Sequence, residues 1–391
     1  MDIESALTID DLKQRARRRV PKQFFDYADS GSWTESTYRD NESDFQKIKF
    51  RQRIAVNMEN RTLATTMLGQ PVSMPLGVAP AAIGGLQIAN GEILAARAAE
   101  KAGIPFTLST MSICNIEQVA EGTTKPFWFQ LYVMRDKPFM ENLIRRAKEA
   151  KCSALVLTMD LQILGQRHAD IRNGMRAPPR MTPRFLFEIA TKPRWAFGML
   201  GAKSRTFGNI VGQASNVSDL THLSAWIGEQ FDPRLTWKEV GWVKDRFGGP
   251  VIVKGVLDPE DALEAVAIGA DGLVVSNHGG RQLDGAISSA GALPAIADAV
   301  GDRLAVLADG GVRSGLDVVR MLALGAKGVL IGRLWAYALA ARGEAGVTHL
   351  LQLLEAEMRV AMALSGHTRV SHLTRDALVS SAAPASRNQA T

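Results

Sequence analysis

From residue 76 onward the chain repeats one pattern: a short apolar run, a polar or small residue at its end, then a stretch with helical spacing. The runs occupy 76–79, 104–108, 127–131, 154–157, 251–253, 272–275, 304–307 and 328–331. Runs this short, rich in Val, Ile and Leu, predict buried parallel strands. The intervening segments 91–102, 137–150, 258–268 and 315–324 have helical spacing, and Gly103, Gly269 and Gly325 stand where helix C-caps favour glycine. Ahead of the repeat, residues 8–28 place Leu12, Ala16, Val20 and Phe24 on one helical face, interrupted by Pro21. Residues 349–363 predict an amphipathic closing helix. Eight strands alternating with helices predict an α/β fold, a (β/α)8 TIM barrel, as one domain over 1–375 with a flexible tail over 376–391.

The alternation breaks once. Residues 177–235 are too long for a strand-to-helix connection and predict an insertion after strand four. Between 176 and 205 it carries seven basic residues against Glu188 alone, a net +6 that equals the charge of the whole chain. Phe185, Leu186, Phe187, Trp195, Phe197, Met199 and Leu200 lie among them. Basic residues mixed with aromatics and leucines predict a segment lying on an anionic membrane surface, with a solvated active-site lid as the competing reading. The charge has no nucleic-acid-binding motif beside it, so nucleic acid is not an expected partner. No apolar run reaches the ~18 residues of a spanning helix. The start of the chain has no apolar signal segment. Two cysteines, Cys114 and Cys152, are too few for a disulfide framework or a Cys-based zinc site, and no metal is expected. These features together predict a cytoplasmic protein, peripheral on the inner face of the cell membrane.

A (β/α)8 barrel builds its site from the carboxyl ends of its strands. Read in order, that rim holds Ala79, Pro80 and Ala81; Ser109; Gln130 and Tyr132; Thr158 and Asp160; Lys254; Ser276, His278 and Arg281; Asp309, Gly311 and Arg313; and Gly332 with Arg333. His278 can exchange a proton near neutral pH, and Arg281 can hold a carboxylate through two parallel hydrogen bonds. A base and an anion clamp three residues apart point to a substrate that is an acid with a removable proton. The glycines between them, Gly279 and Gly280, predict close approach of backbone to ligand. Asp160 is expected to pair with His278 and raise its pKa. Lys254 at the barrel mouth fits a Schiff-base amine or a charge stabilising a cofactor ring. The segments 309–313 and 332–333 each end a strand and open a helix, an arrangement that suits the phosphate of a phosphosugar or of flavin mononucleotide.

The stretch Ser-Asn-His-Gly-Gly-Arg-Gln-Leu-Asp at 276–284, with Trp-Phe-Gln-Leu-Tyr at 128–132 and Asp-Gly-Gly-Val-Arg at 309–313, resembles the FMN-dependent L-2-hydroxy-acid dehydrogenases and oxidases over about residues 8–375. The pattern is most similar to the membrane-associated L-lactate dehydrogenases of bacteria. The resemblance implies that His278 takes a proton during oxidation of the α-carbon, supported by Asp160. Arg281 and Arg167 would hold the substrate carboxylate, with Tyr27 and Tyr132 hydrogen-bonding the carboxylate or the developing carbonyl. Lys254 would stabilise the anionic reduced flavin. Ala79, Pro80, Ala81, Ser109, Gln130 and Thr158 would line the flavin ring, with Ser276 also reaching the cofactor. Asp309, Gly311, Arg313, Gly332 and Arg333 would hold the ribityl chain and phosphate. Electrons would pass to a quinone of the respiratory chain, and the family habit implies a homotetramer.

Some positions depart from the family. Ala81 and Ala82 replace the Gly or Thr of many members at a position that bears on oxygen reactivity. Bulkier residues fill 161–165 than in close lactate dehydrogenases, and His168 replaces an aromatic residue. A soluble oxidase that releases hydrogen peroxide, and a mandelate-type dehydrogenase acting on a larger acid, therefore stand as alternatives. Outside enzymes, the alternative is a barrel that merely binds a phosphorylated ligand.

Overall fold

The computed structural model describes residues 3–82, 84–174, 183–214, 226 and 229–379. An antiparallel hairpin, β1 (Thr65–Met67) and β2 (Gln70–Val72), precedes the eight expected strands: β3 (Leu76–Val78), β4 (Thr107–Ser109), β5 (Trp128–Tyr132), β6 (Ala154–Thr158), β7 (Val251–Val256), β8 (Gly272–Val275), β9 (Ala305–Asp309) and β10 (Gly328–Ile331). The eight form one parallel sheet in the order β3-β10-β9-β8-β7-β6-β5-β4. A parallel bridge between Val78 and Phe106 joins its two ends, so the (β/α)8 barrel is closed. The apolar run expected from 104 begins ladder pairing as a named strand only at Thr107, because Pro105 has no N–H to give; its carbonyl instead accepts from Val78 N at 2.8 Å.

Strand side chains alternate between two environments. Trp128, Ala154, Val156, Ile252, Val274, Leu307 and Leu330 form a buried cluster inside the barrel. Their neighbours Phe129, Leu155, Val253, Leu273, Val306 and Val329 face the surrounding helices. The hairpin, which the sequence pattern does not predict, plugs the amino-terminal end: Met67 and Val72 belong to the interior cluster. Room for the plug comes from strand glycines. A Cβ on Gly328 would lie 2.6 Å from Met67, and one on Gly272 would lie 3.0 Å from Leu68.

The helices follow the predicted periodicity closely. Thr8 caps Ile9–Arg19 in a reciprocal capping box with Asp11, and a second helix, Lys22–Asp29, follows Pro21. Gly103 ends Gly91–Ala102 in the left-handed conformation at φ 69°. The closing helix is longer than expected, Arg333–Leu364, kinked at Arg342 and Gly343. Residues 376–379 are held against the domain: Leu378 bridges Phe50, and Lys49 O accepts from Val379 N. The remainder of the expected tail, and parts of the insertion including Arg176 and Arg180, lie outside the described residues.

Candidate active site

Strand alternation decides which side chains reach the barrel mouth. On β5 the inward positions run Trp128, Gln130, Tyr132; on β6 Ala154, Val156, Thr158; on β7 Ile252, Lys254; on β9 Leu307, Asp309. Each series changes from apolar to polar as it approaches the carboxyl end. A cavity of about 530 Å³ opens there, lined by Tyr27, Ala79, Pro80, Ala81, Tyr132, Thr158, Arg167, Lys254, His278, Arg281, Asp309, Gly311, Arg313, Gly332 and Arg333, all expected at the site.

Ser109, Gln130 and Ser276 do not line the cavity; they form a buried polar layer beneath it. Ser109 Oγ donates to Gln130 Oε1 and Gln130 Nε2 to Thr158 Oγ1, both at 3.0 Å. Lys254 Nζ donates to Ser276 Oγ at 2.7 Å and lies 3.1 Å from Asp309 Oδ2. With Lys254 only 4% exposed, this network fixes an ammonium in the floor of the site.

His278 Nδ1 lies 3.0 Å from Asp160 Oδ1 and 3.2 Å from Oδ2. Asp160 is held below its ordinary value: burial opposes ionisation, but the charge and hydrogen bond of His278, helped by Lys254, outweigh it. An ionised Asp160 selects the tautomer with the proton on Nδ1 and leaves Nε2 as an acceptor. His278 itself is lowered, contrary to the expectation that Asp160 would raise it. Burial is the largest influence, and Lys254 and Arg167 add to it against the pull of Asp160. The result is a neutral imidazole near pH 7, the form a base requires.

His278, Gly279 and Gly280 all have left-handed backbone, at φ 58°, 66° and 72°. The two glycines make room for protein rather than for a ligand alone. A Cβ on Gly280 would lie 2.5 Å from Tyr38 N, and one on Gly279 would lie 2.4 Å from an Arg333 nitrogen. The loop is seated on residues 30–41: Ser32 N donates to Gly280 O, Asn277 and Asn41 exchange amide hydrogen bonds at 2.9 Å, and Asp284 accepts from Thr34, Ser36 and Thr37.

Arg281 donates through Nη1 to the carbonyls of Tyr27 (2.6 Å) and Ser30 (3.0 Å), and its guanidinium lies 4.7 Å from the Tyr27 ring centre. Its Nη2 is buried without a hydrogen-bond partner among the described residues. Burial, then repulsion from Arg167, pushes Arg281 down to about 10, which leaves it charged at neutral pH. Arg167 Nε lies 3.4 Å from Arg281 O. Burial pushes the Tyr132 hydroxyl far up, so it remains a hydrogen-bond donor, and its ring meets Phe231 edge-on at 6.1 Å.

The residues present suit a flavin mononucleotide. Gly332 opens the helix Arg333–Leu364, and a Cβ there would find no atom nearer than 4.0 Å. Arg313 and Arg333 flank that helix start, where free N–H groups favour a phosphate. Asp309 Oδ1 and Arg333 Nε are buried without partners among the described residues, as groups awaiting a ligand would be. Ala79 and Leu330 offer an apolar floor for a ring, with Lys254 as the adjacent cation.

The cavity also takes residues that sequence reasoning missed. Asp170 lines it, outside any motif, and Thr206, Phe207 and Phe231 come from the insertion. Leu161 and Leu164, noted for their bulk, lie in its wall. His168 does not line it; it opens the short helix His168–Arg172 that carries Asp170.

A family model described as FMN-dependent dehydrogenase matches residues 16–380. The chain is 50% identical over 371 residues to an L-lactate dehydrogenase of Ectopseudomonas mendocina, covering 94% of this chain and 97% of that protein. It is 51% identical over 370 residues to an L-lactate dehydrogenase of Caulobacter vibrioides, covering 94% and 96%. Among solved structures, the monotopic membrane protein (S)-mandelate dehydrogenase superposes with a TM-score of 0.90 at 36% identity, covering 95% of this chain and 99% of that one. A mandelate oxidase crystallised with (S)-4-hydroxymandelic acid superposes with a TM-score of 0.82 at 36% identity, covering 95% and 98%.

Proposed function

Since the chain belongs to the family of FMN-dependent dehydrogenases, we propose that it oxidises an L-2-hydroxy acid, L-lactate foremost, to the 2-oxo acid and passes the electrons to a quinone of the respiratory chain. The observation that carries this reading is the convergence of His278, braced by Asp160 at 3.0 Å, and the guanidiniums of Arg167 and Arg281 in the cavity that also holds Lys254. Arg167 and Arg281 anchor the substrate carboxylate, and the unpartnered Nη2 of Arg281 is a donor ready for it. Tyr132 and Tyr27 stand beside the clamp and orient the hydroxyl-bearing carbon. His278 Nε2 accepts a proton from the substrate, and Asp160 stabilises the imidazolium that forms. FMN, when bound, supplies the two-electron acceptor that no side chain provides. Lys254 puts positive charge where negative charge develops on the ring.

The L-lactate assignment follows the relatives at 50–51% identity. Leu161 and Leu164 in the cavity wall favour a second reading, a larger aryl or branched 2-hydroxy acid. Anaerobic mixing of the flavin-loaded protein with L-lactate and with (S)-mandelate separates the two: the preferred acid bleaches the oxidised flavin spectrum faster at equal concentration. An unbleached spectrum with every 2-hydroxy acid tried removes the reading altogether. Peroxide yield with and without a short-chain quinone then distinguishes a dehydrogenase from an oxidase.

Peripheral membrane attachment is the third part of the reading. No described helix is long and apolar enough to cross a membrane. The insertion helices Pro183–Ala190 and Pro193–Gly198 instead expose Leu186, Phe187 and Phe197, with Leu200 just beyond. Arg194 and Lys203 are exposed in the same segment, which suits an anionic lipid surface.

A further inference from the structure

Two guanidiniums largely enclosed in one cavity wall repel each other, and the repulsion grows as water is excluded. Arg167 and Arg281 are in this position, at 15% and 12% side-chain exposure. Among the described residues one acidic group lies beside both: Asp170 Oδ2 is 4.0 Å from Arg167 Nη1 and 4.0 Å from Arg281 Nη2. Asp170 sits one helical turn after Arg167 in His168–Arg172, so the turn that presents the arginine also presents its counter-charge. Its Oδ1 is buried and unpartnered among the described residues, as is Arg281 Nη2. The helix His168–Arg172 makes no side-chain cap hydrogen bond, so capping does not account for the carboxylate. It faces Arg281, Arg167 and the Ser30 side chain, with Asp26 behind it; Asp26 is itself bonded to Lys22 and Asn173.

We infer that Asp170 is a positioning residue of the carboxylate clamp: as the shared counter-ion of Arg167 and Arg281 it keeps both guanidiniums turned into the cavity before the substrate arrives. This rests on the reading of those arginines as the substrate-carboxylate site. Asp170 does not exchange a proton with the substrate. Its removal weakens capture of the carboxylate and leaves the chemistry at His278 in place.

The test uses the FMN-loaded protein and three variants, Asp170→Asn, Asp170→Glu and Arg167→Met. Oxalate titrated against the flavin spectrum reads carboxylate binding without turnover, and anaerobic bleaching by L-lactate or (S)-mandelate reads chemistry. D170N is expected to raise the oxalate Kd and the substrate KM at least tenfold while the limiting bleaching rate stays within threefold. D170E is expected to recover part of that loss. The alkaline limb of kcat/KM should also move to lower pH in D170N. Arg281 loses a charge that favours its protonated form, while Arg167 and Arg333 still disfavour it. A merely structural aspartate would not move that limb. Unchanged oxalate Kd, KM and alkaline limb in a flavin-retaining D170N overturn the inference, as does a bleaching rate that falls in step with a constant KM. If D170N does not retain flavin, the double variant with Arg167→Met decides: with one guanidinium gone the fold should recover and oxalate should bind no worse than to R167M. A double variant as defective as D170N overturns it. If wild-type flavin responds to no 2-hydroxy acid and no oxalate, the clamp reading itself falls, a result distinct from any variant failing against an active wild type.

Discussion

The base proposed at His278 is useful only while neutral, and its surroundings rather than its partner keep it so. Burial, Lys254 and Arg167 lower it against the pull of Asp160. The sign fixes the pH behaviour: protonation disables the base, so the acid limb of kcat/KM should have its midpoint below the ordinary histidine value of about 6.5. Steady-state rates measured from pH 4.5 to 8 check this, and a midpoint above 6.5 would contradict it. His278→Asn should lower the flavin bleaching rate about 10² to 10⁴-fold with flavin content unchanged, because the ring's hydrogen bond is to Asp160 and not to the proposed phosphate-binding residues. The chemistry of this residue was legible in the sequence, since a His and an Arg ending an apolar run have no packing role. Its lowered pKa was not, because it comes first from burial, which the packing of distant segments sets and no motif displays. Asp170 and Phe231 were illegible for the same reason: neither ends a strand or belongs to a motif.

At the level of elements, the loops at the barrel mouth are held to geometry by backbone contacts that side-chain patterns do not announce. Gly311 has φ 75°, and a Cβ there would lie 1.9 Å from Asn41 O. Gly311→Ala should therefore cost more than the roughly 1–3 kcal/mol of left-handed strain alone, displacing the phosphate loop from the helix that carries Asn41. Flavin retained per chain, with the thermal midpoint, reads the effect, and full retention would refute it. Asp284 ties the other loop to residues 34–37 through two backbone and two hydroxyl donors. Desolvation opposes ionisation, but those hydrogen bonds outweigh it and hold its carboxyl well below the usual range. A depressed folded pKa means that its contribution is complete above the unfolded value of about 3.9 and is lost as pH falls toward the folded one. Asp284→Asn should lower the midpoint at pH 7 by an amount that shrinks on acidification below pH 4, whereas a pH-independent loss would argue against the ion. The strands and helices themselves were readable because each is a run of periodic apolar residues bounded by glycine or a cap. The β1–β2 plug escaped notice because three-residue strands with one buried residue apiece carry no period.

At the scale of the molecule, the charge of the chain and its insertion belong together: the excess of basic residues that sets the net +6 sits between 176 and 205. The fold explains why this segment is not free to leave. Trp195 Nε1 donates to Leu86 O at 2.9 Å, Lys192 Nζ donates to Arg18 O at 2.8 Å, and Phe207 lines the catalytic cavity. The two readings of the insertion, lid and membrane face, thus fall on different sides of the same helices. Deleting the segment would open the cavity and confuse attachment with activity. Replacing its outward side chains does not. Phe187, Phe197 and Leu200 are 68%, 73% and 67% exposed. Burying such side chains in lipid is worth about 1.5–3 kcal/mol each, so Phe187→Ser, Phe197→Ser and Leu200→Ser together should weaken binding to vesicles by at least on the order of a hundredfold. Bleaching by the preferred 2-hydroxy acid should stay within twofold. Co-sedimentation with anionic phospholipid vesicles at low and at high salt measures the first quantity, and the salt dependence isolates the contribution of the basic residues. Retained binding by the triple variant at high salt would show that this apolar face is not what meets the bilayer, and would return the insertion to the role of a lid.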